Sequence, residues 1–229
     1  MRINRYLALA GYATRKGADE LISQGLVRIN GKVATLGDKV ADGDEVEIRN
    51  TKKPKALVYF AYNKPVGVVT HSPQDAEQSI QQVLGRSDVF PIGRLDKQSH
   101  GLIILTNDGR VTDRLLHPSH EHDKEYRIHT KMKLRDSFEK NMERGVTIEG
   151  YVTKPTKVVR HGDFSFSITL QEGKRHQIRR MVVALHNEVA DLKRVRVMNI
   201  KLGPLKSGGI RTIEGKELQE FLSLLNLPN

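Results

Sequence analysis

The chain of 229 residues has no cysteine and no tryptophan, and only 5% of its residues are aromatic. Without cysteine, a disulfide framework, a thiolate nucleophile and thiolate-bound zinc are impossible. So few aromatics argue against a broad stacking platform for single-stranded nucleic acid. No apolar run approaches the roughly 20 residues that a membrane-spanning helix needs. The opening run MRINRYLALAGYATRKG lacks a long apolar core followed by a cleavage site, so no secretory signal is expected. His117, His120 and His122 form a compact group, but spacings of three and two on a proline-containing loop do not match a metal-binding helix, and no metal is expected. No glycine-rich phosphate loop or dinucleotide fingerprint is present either.

Positive charge is what the chain has in excess. Lys and Arg number 38 against 27 Asp and Glu, a formal charge of +11, and the 38% of hydrophobic residues is enough for a sizeable core. The excess is local: residues 1–50 hold eight basic and seven acidic residues, residues 172–211 ten and three. A positive field lowers the energy of approach of a phosphate backbone whatever its base sequence, although a solvated basic surface has the same composition. The expectation is a cytoplasmic protein with an anionic partner, no membrane contact and no DNA.

Ile3, Tyr6, Leu7 and Ala10 share one helical face, which Gly11 ends. Thr14 is the expected cap of a second helix that buries Ala18, Leu21 and Ile22. Val27 and Ile29 alternate before Asn30-Gly31, a pair suited to a tight hairpin returning through Val33, and a last short strand runs from Glu45 to Arg49. The runs GYATRKGADELISQGLVRINGKV (11–33) and VADGDEVEI (40–48) resemble an S4 RNA-binding domain. The resemblance implies that Arg2, Arg5, Arg15, Lys16, Arg28 and Lys32 face structured RNA. Residues 1–50 are expected to be this domain, 51–56 a linker, and 57–229 a second domain.

In the second domain LVYFAYN (57–63), GLIILT (101–106), KEYRIHT (124–130) and FSFSITL (164–170) read as strands, the last with Phe164, Phe166, Ile168 and Leu170 on one face. Residues 77–84, the set Ile178, Met181, Val182 and Leu185, and the set Leu218, Phe221, Leu222 and Leu225 read as helices, while Asn107-Asp108-Gly109 reads as a turn. Irregularly placed helices among alternating strands predict an α+β fold with a mixed, largely antiparallel sheet.

Asp96 lies in FPIGRLDKQSHGLIILTNDG (90–109), on a loop between two apolar strands, with Arg94 and Lys97 beside it. Such a loop is held rigidly at both ends and open on one side, and a carboxylate among cations stays ionised, as a nucleophile must. A lone loop aspartate can equally cap a turn. The run GRLDKQSHGLIILTNDG resembles the signature of bacterial rRNA pseudouridine synthases, the group of the small-subunit enzyme A and the large-subunit enzymes B, E and F. NKPVGVV (63–69), HDKEYRI (122–128) and EGKRHQIRRM (172–181) resemble three further motifs of that group in order, and 179–211 looks most like the F branch.

The resemblance implies catalytic roles for Asp96 as nucleophile, Tyr126 as the ring stacked on the target base, and Arg179 as the cation paired with Asp96. Arg94 would fill the gap left by a flipped uridine, and Lys64, Lys174, Arg175 and Arg180 join the RNA contacts. Arg175 and Arg179, four apart, are expected on one helix face. The implied reaction breaks N1–C1′ and forms C5–C1′ with no net redox change or hydrolysis, so no cofactor is expected. The implied substrate is structured RNA, 23S rRNA first, acted on by a monomer. The alternatives are 16S rRNA, a tRNA anticodon stem-loop, or a ribosome-assembly protein that binds RNA without catalysis.

Overall fold

Asn30 and Gly31 both adopt positive φ, 49° and 76°, and close the tight hairpin that the Asn-Gly pair predicts. In the computed structural model, which describes residues 1–13, 15–49, 56–117 and 120–228 (Lys16 without its side chain), this hairpin joins β1 (Val27–Ile29) to β2 (Lys32–Val33). It follows α1 (Ile3–Leu9) and α2 (Arg15–Ser23), and β3 (Val46–Ile48) pairs antiparallel with the other edge of β1. Ile3, Leu7, Ala18, Ile22 and Val27 form the core of this unit. The expected cap Thr14 and residues 51–55 of the expected linker lie outside the described residues.

The larger part opens with β4 (Tyr59–Lys64), α3 (Ile80–Leu84), β5 (Phe90–Ile92) and β6 (His100–Thr106). Ser79 and Gln82 make a reciprocal capping box at the start of α3. The run Asn107-Asp108-Gly109 is not merely a turn: Asp108 caps a helix, α4 (Gly109–Leu116), by accepting from the Arg110 N–H at 3.0 Å. Its buried carboxylate also accepts from the Tyr59 hydroxyl at 2.7 Å, and burial together with this contact pushes the phenol's pKa well above its usual value.

β7 (Lys124–Thr130), α5 (Phe138–Glu143), the small hairpin β8 (Thr147–Ile148) and β9 (Tyr151–Val152), and the strands β10 (Lys157–Arg160) and β11 (Ser165–Leu170) follow. The chain ends with α6 (Gln177–Ala184), β12 (Val189–Val197), β13 (Ile200–Lys201), β14 (Ile210–Thr212) and α7 (Gly215–Leu224). The main sheet runs β10-β11-β7-β12-β6-β4-β14, with β13 paired to β12 and β5 to β6. Its pairings are antiparallel except β12 with β6. The α+β architecture and largely antiparallel sheet expected from the sequence are therefore present.

The unbroken apolar run of β6 has a simple cause. Leu102 and Ile104 join the core shared with α4 and α7, while Ile103 and Leu105 join a second core with Tyr62 and Ile80, so the strand is buried on both faces. A third cluster gathers Ile128, Phe166, Ile168 and Leu192 with Phe138 of α5 and Met181 and Val182 of α6. Phe164 departs from expectation. It precedes β11, is 42% exposed, and stacks on the His129 ring at 6.1 Å. The two parts of the chain touch where the Arg5 guanidinium of α1 meets Asp113 of α4 at 3.0 Å, and where side-chain-free Gly109 faces the Ala8 carbonyl.

Candidate active site

Asp96 sits in the seven-residue connection from β5 to β6, with buried Leu95 before it and buried Ser99 after it. The backbone of this loop is held from several sides. The Leu95 N–H donates to Thr70 Oγ1 at 3.1 Å, and the same hydroxyl donates to the Leu95 carbonyl at 2.9 Å. The Gly67 N–H donates to the Lys97 carbonyl at 2.8 Å, and the Ser99 N–H to that of Asp96 at 2.9 Å. The Asp96 side chain faces outward, 43% exposed, as do those of Arg94, Lys97 and Gln98.

α6 supplies the opposite wall. Arg179 Nη2 donates to the Gln98 carbonyl at 3.0 Å and to Ser99 Oγ at 3.3 Å. The expected pairing of Arg179 with the Asp96 carboxylate is corrected here: the guanidinium grips the loop two and three residues further on. Among the described residues, the basic side chain that reaches the Asp96 carboxylate is that of His176, whose Nε2 lies 3.5 Å from Oδ1. A second correction concerns Arg175. It lies in the turn before α6, which starts at Gln177, so it shares no helix face with Arg179.

Beneath the loop, one residue from each of four adjacent strands lines up: Lys64 of β4, Gly101 of β6, Arg194 of β12 and Tyr126 of β7. Gly101, at φ 103°, has no room for a Cβ, which would strike the Arg194 backbone, its N at 2.8 Å. Arg194 is buried and donates from Nε to the Leu102 carbonyl at 2.7 Å and from Nη1 to the Arg94 carbonyl at 3.4 Å. Lys64 is fully buried, and its ammonium donates to the Pro65 and Val68 carbonyls at 2.9 and 2.7 Å. Burial pushes its pKa down to about 8, against the pull of the nearby Asp96 charge and with the repulsion of Arg194. Tyr126 is half-buried on the face of β7 that carries Ile128 and packs on the α5/α6 cluster.

Residues 58–184 match the family model of RNA pseudouridylate synthases. The chain belongs to the RNA pseudouridine synthase family. Residues 1–46 match the S4 domain. The dual-specificity RNA pseudouridine synthase RluF of Escherichia coli O6:H1 is 40% identical over 98% of this chain and 79% of its own length. The ribosomal large subunit pseudouridine synthase B of Bacillus subtilis is 34% identical over 97% and 96%. A crystal structure of a pseudouridylate synthase superposes with a TM-score of 0.71 at 28% identity, covering 98% of this chain and 99% of that one. This synthase is thus an isomerase of uridine in RNA.

Several cations of the synthase expected to meet RNA are already engaged. Lys64 is buried and out of reach of a phosphate. Lys174 Nζ lies over the Tyr151 ring at 4.8 Å, Arg180 pairs with Glu149 at 2.5 Å, Arg28 Nη1 donates to the Gly31 carbonyl at 2.6 Å, and Arg5 pairs with Asp113. Arg2, Arg15, Lys32, Arg94 and Arg175 are exposed, and the Lys16 side chain lies outside the described residues. Sequence reasoning missed His176, Arg194 and Thr70. His176 stands inside the run EGKRHQIRRM, so its signal was available; Arg194 lies in a stretch whose charges hid its strand, and Thr70 carried no signal.

Proposed function

We propose that this synthase isomerises uridine in 23S rRNA, with Asp96 as the nucleophile, and that residues 57–229 carry the chemistry while residues 1–50 bind RNA. The observation that carries the role of Asp96 is its setting: a side chain open to solvent on a loop whose backbone is pinned by Thr70, Arg179 and Arg194. A reacting group held this way needs little reorganisation when substrate arrives. The carboxylate attacks the target nucleoside, or takes a ribose proton, as the N1–C1′ bond breaks. The uracil turns and C5 joins C1′ as the bond to the carboxylate breaks, or the ribose proton is returned, and the C5 proton leaves while N1 gains one. The net change is an isomerisation.

Tyr126 presents a ring to the base and a hydroxyl for the C5 proton. Arg94, exposed in the same loop, fills the space that the flipped uridine vacates. The large ribosomal subunit named for the Bacillus relative supports 23S rRNA as the substrate. A second reading, the same chemistry on a tRNA stem-loop as well, is favoured by the dual specificity of the Escherichia relative. The protein is taken to act as a cytoplasmic monomer.

The test is to map pseudouridines in rRNA and tRNA from cells with and without the protein. A site lost from 23S rRNA is the expected result. A loss confined to 16S rRNA or tRNA would overturn the substrate reading. Tyr126→Phe is expected to keep RNA affinity and slow turnover, and unchanged turnover would leave the ring a stacking role alone.

A further inference from the structure

His176 is the residue before α6 and sits at φ 50°, ψ 28°, in the left-handed region. That conformation costs an L residue other than glycine, and when such a residue keeps it the side chain is often what is gained. The cap does not explain the choice, because the imidazole makes no capping bond to the helix. The ring points instead to the reactive loop, with Nε2 at 3.5 Å from Asp96 Oδ1 and both side chains a little under half exposed. The start of α6 and the residue before it therefore address the loop twice. Arg179 grips the backbone at Gln98 and Ser99, and His176 faces the carboxylate itself. The other charges around Asp96 are placed differently: Lys64 spends its ammonium on two carbonyls from a fully buried position, and Lys97 pairs with Glu77 at 2.9 Å.

We propose that His176 is a positioning residue for Asp96: its imidazole fixes the direction of the carboxylate, while Arg179 fixes the loop that carries it. The proposal rests on Asp96 being the nucleophile. A carboxylate on a rigid loop still rotates about its own side-chain bonds, and a partner on its open side limits that rotation without blocking the approach of RNA.

The test uses the full chain, ribosomal RNA from cells lacking the protein, and three proteins: wild type, His176→Gly and Asp96→Asn. Glycine suits the backbone at φ 50°, so it removes the ring without unseating the helix start. At saturating RNA the rate of His176→Gly is expected to fall about 10- to 100-fold, as for a misdirected reacting group, with RNA affinity changed less than about twofold. Its melting temperature is expected to hold or rise, and added imidazole to restore part of the rate. Three results overturn the inference: a wild-type rate for His176→Gly, a loss that appears in affinity or melting temperature instead of rate, or a rate that imidazole leaves unchanged. Asp96→Asn separates the two readings. If it turns over, the role of Asp96 fails whatever His176 does; if it is inactive and His176→Gly is normal, only the positioning role fails.

Discussion

The Asp96 loop and the basic residues expected to face RNA use polar groups in opposite ways. Around Asp96 nearly all the hydrogen bonding goes into the backbone, through Thr70, Gly67, Arg179 and Arg194, and the carboxylate stays exposed. Among the basic residues the side chains themselves are divided. Arg5, Arg28, Lys174 and Arg180 have partners inside the protein, whereas Arg2, Arg15, Lys32, Arg94 and Arg175 are exposed. Chemistry at one atom needs that atom fixed to a fraction of an ångström, and a backbone does this better than any surface side chain. Phosphate attraction acts over several ångströms and needs only charge, so it tolerates movable groups.

The sharpest break of this contrast is Asp96→Asn. It is expected to lower turnover at least about 1,000-fold while RNA affinity stays within about threefold, because it removes the proposed nucleophile and almost no volume. A stoichiometric single-turnover assay checks it, and residual turnover near wild type would show that the loop does not carry the reaction. Gly101→Ala attacks the floor beneath the loop. The added methyl strikes the Arg194 backbone, so a loss of about 3 kcal/mol and roughly 6–12 °C in melting temperature is expected. An unchanged melting curve would mean that β6 and β12 can separate without cost.

Arg179→Ala is expected to lower the rate about 30-fold by releasing the Gln98 and Ser99 contacts, with a smaller change in affinity. Equal losses in rate and affinity would make it an RNA contact instead. The cations supply a milder test. Arg175→Ala is expected to flatten the salt dependence of RNA binding by about one unit of slope, and Arg180→Ala, already paired with Glu149, by less. Equal slopes would erase the distinction between free and engaged cations.

The narrowest test concerns Lys64 and is confined to alkaline pH. With its folded pKa pushed down to about 8, the native state releases this proton before the unfolded chain does. The unfolded state then binds more protons, so stability rises with pH between about 8 and the ordinary lysine range. Urea midpoints across that interval are expected to climb for the wild type relative to Lys64→Met. Parallel curves would show that the ammonium finds compensation elsewhere.

Much of this was legible in the linear chain. The Asn30-Gly31 hairpin follows from two residues that tolerate positive φ, and α6 follows from the spacing of Ile178, Met181 and Val182. Two apolar strands around a short polar run place Asp96 on a loop, and only the resemblance of GRLDKQSHGLIILTNDG to the synthase signature gives it a catalytic role. By contrast α4 was hidden, because Asn107-Asp108-Gly109 serves turns and helix caps alike, and only the Tyr59 and Arg110 contacts select the cap. β12 was hidden as well, since VADLKRVRV places charges where a central strand normally has none.

The sequence by itself determined the local events: which stretches turn, which repeat with a helical or a strand period, and which loop holds a carboxylate between buried strands. These depend on neighbours within a few residues. The tertiary structure alone decided which basic side chain meets Asp96. Arg179 and His176 are both basic, lie three residues apart, and belong to one run. Only the left-handed turn at His176 and the docking of α6 against the loop send the imidazole to the carboxylate and the guanidinium to the backbone. The same holds for Lys64, whose burial depends on strands that are distant in sequence, and no local pattern distinguishes such a lysine from one that faces solvent.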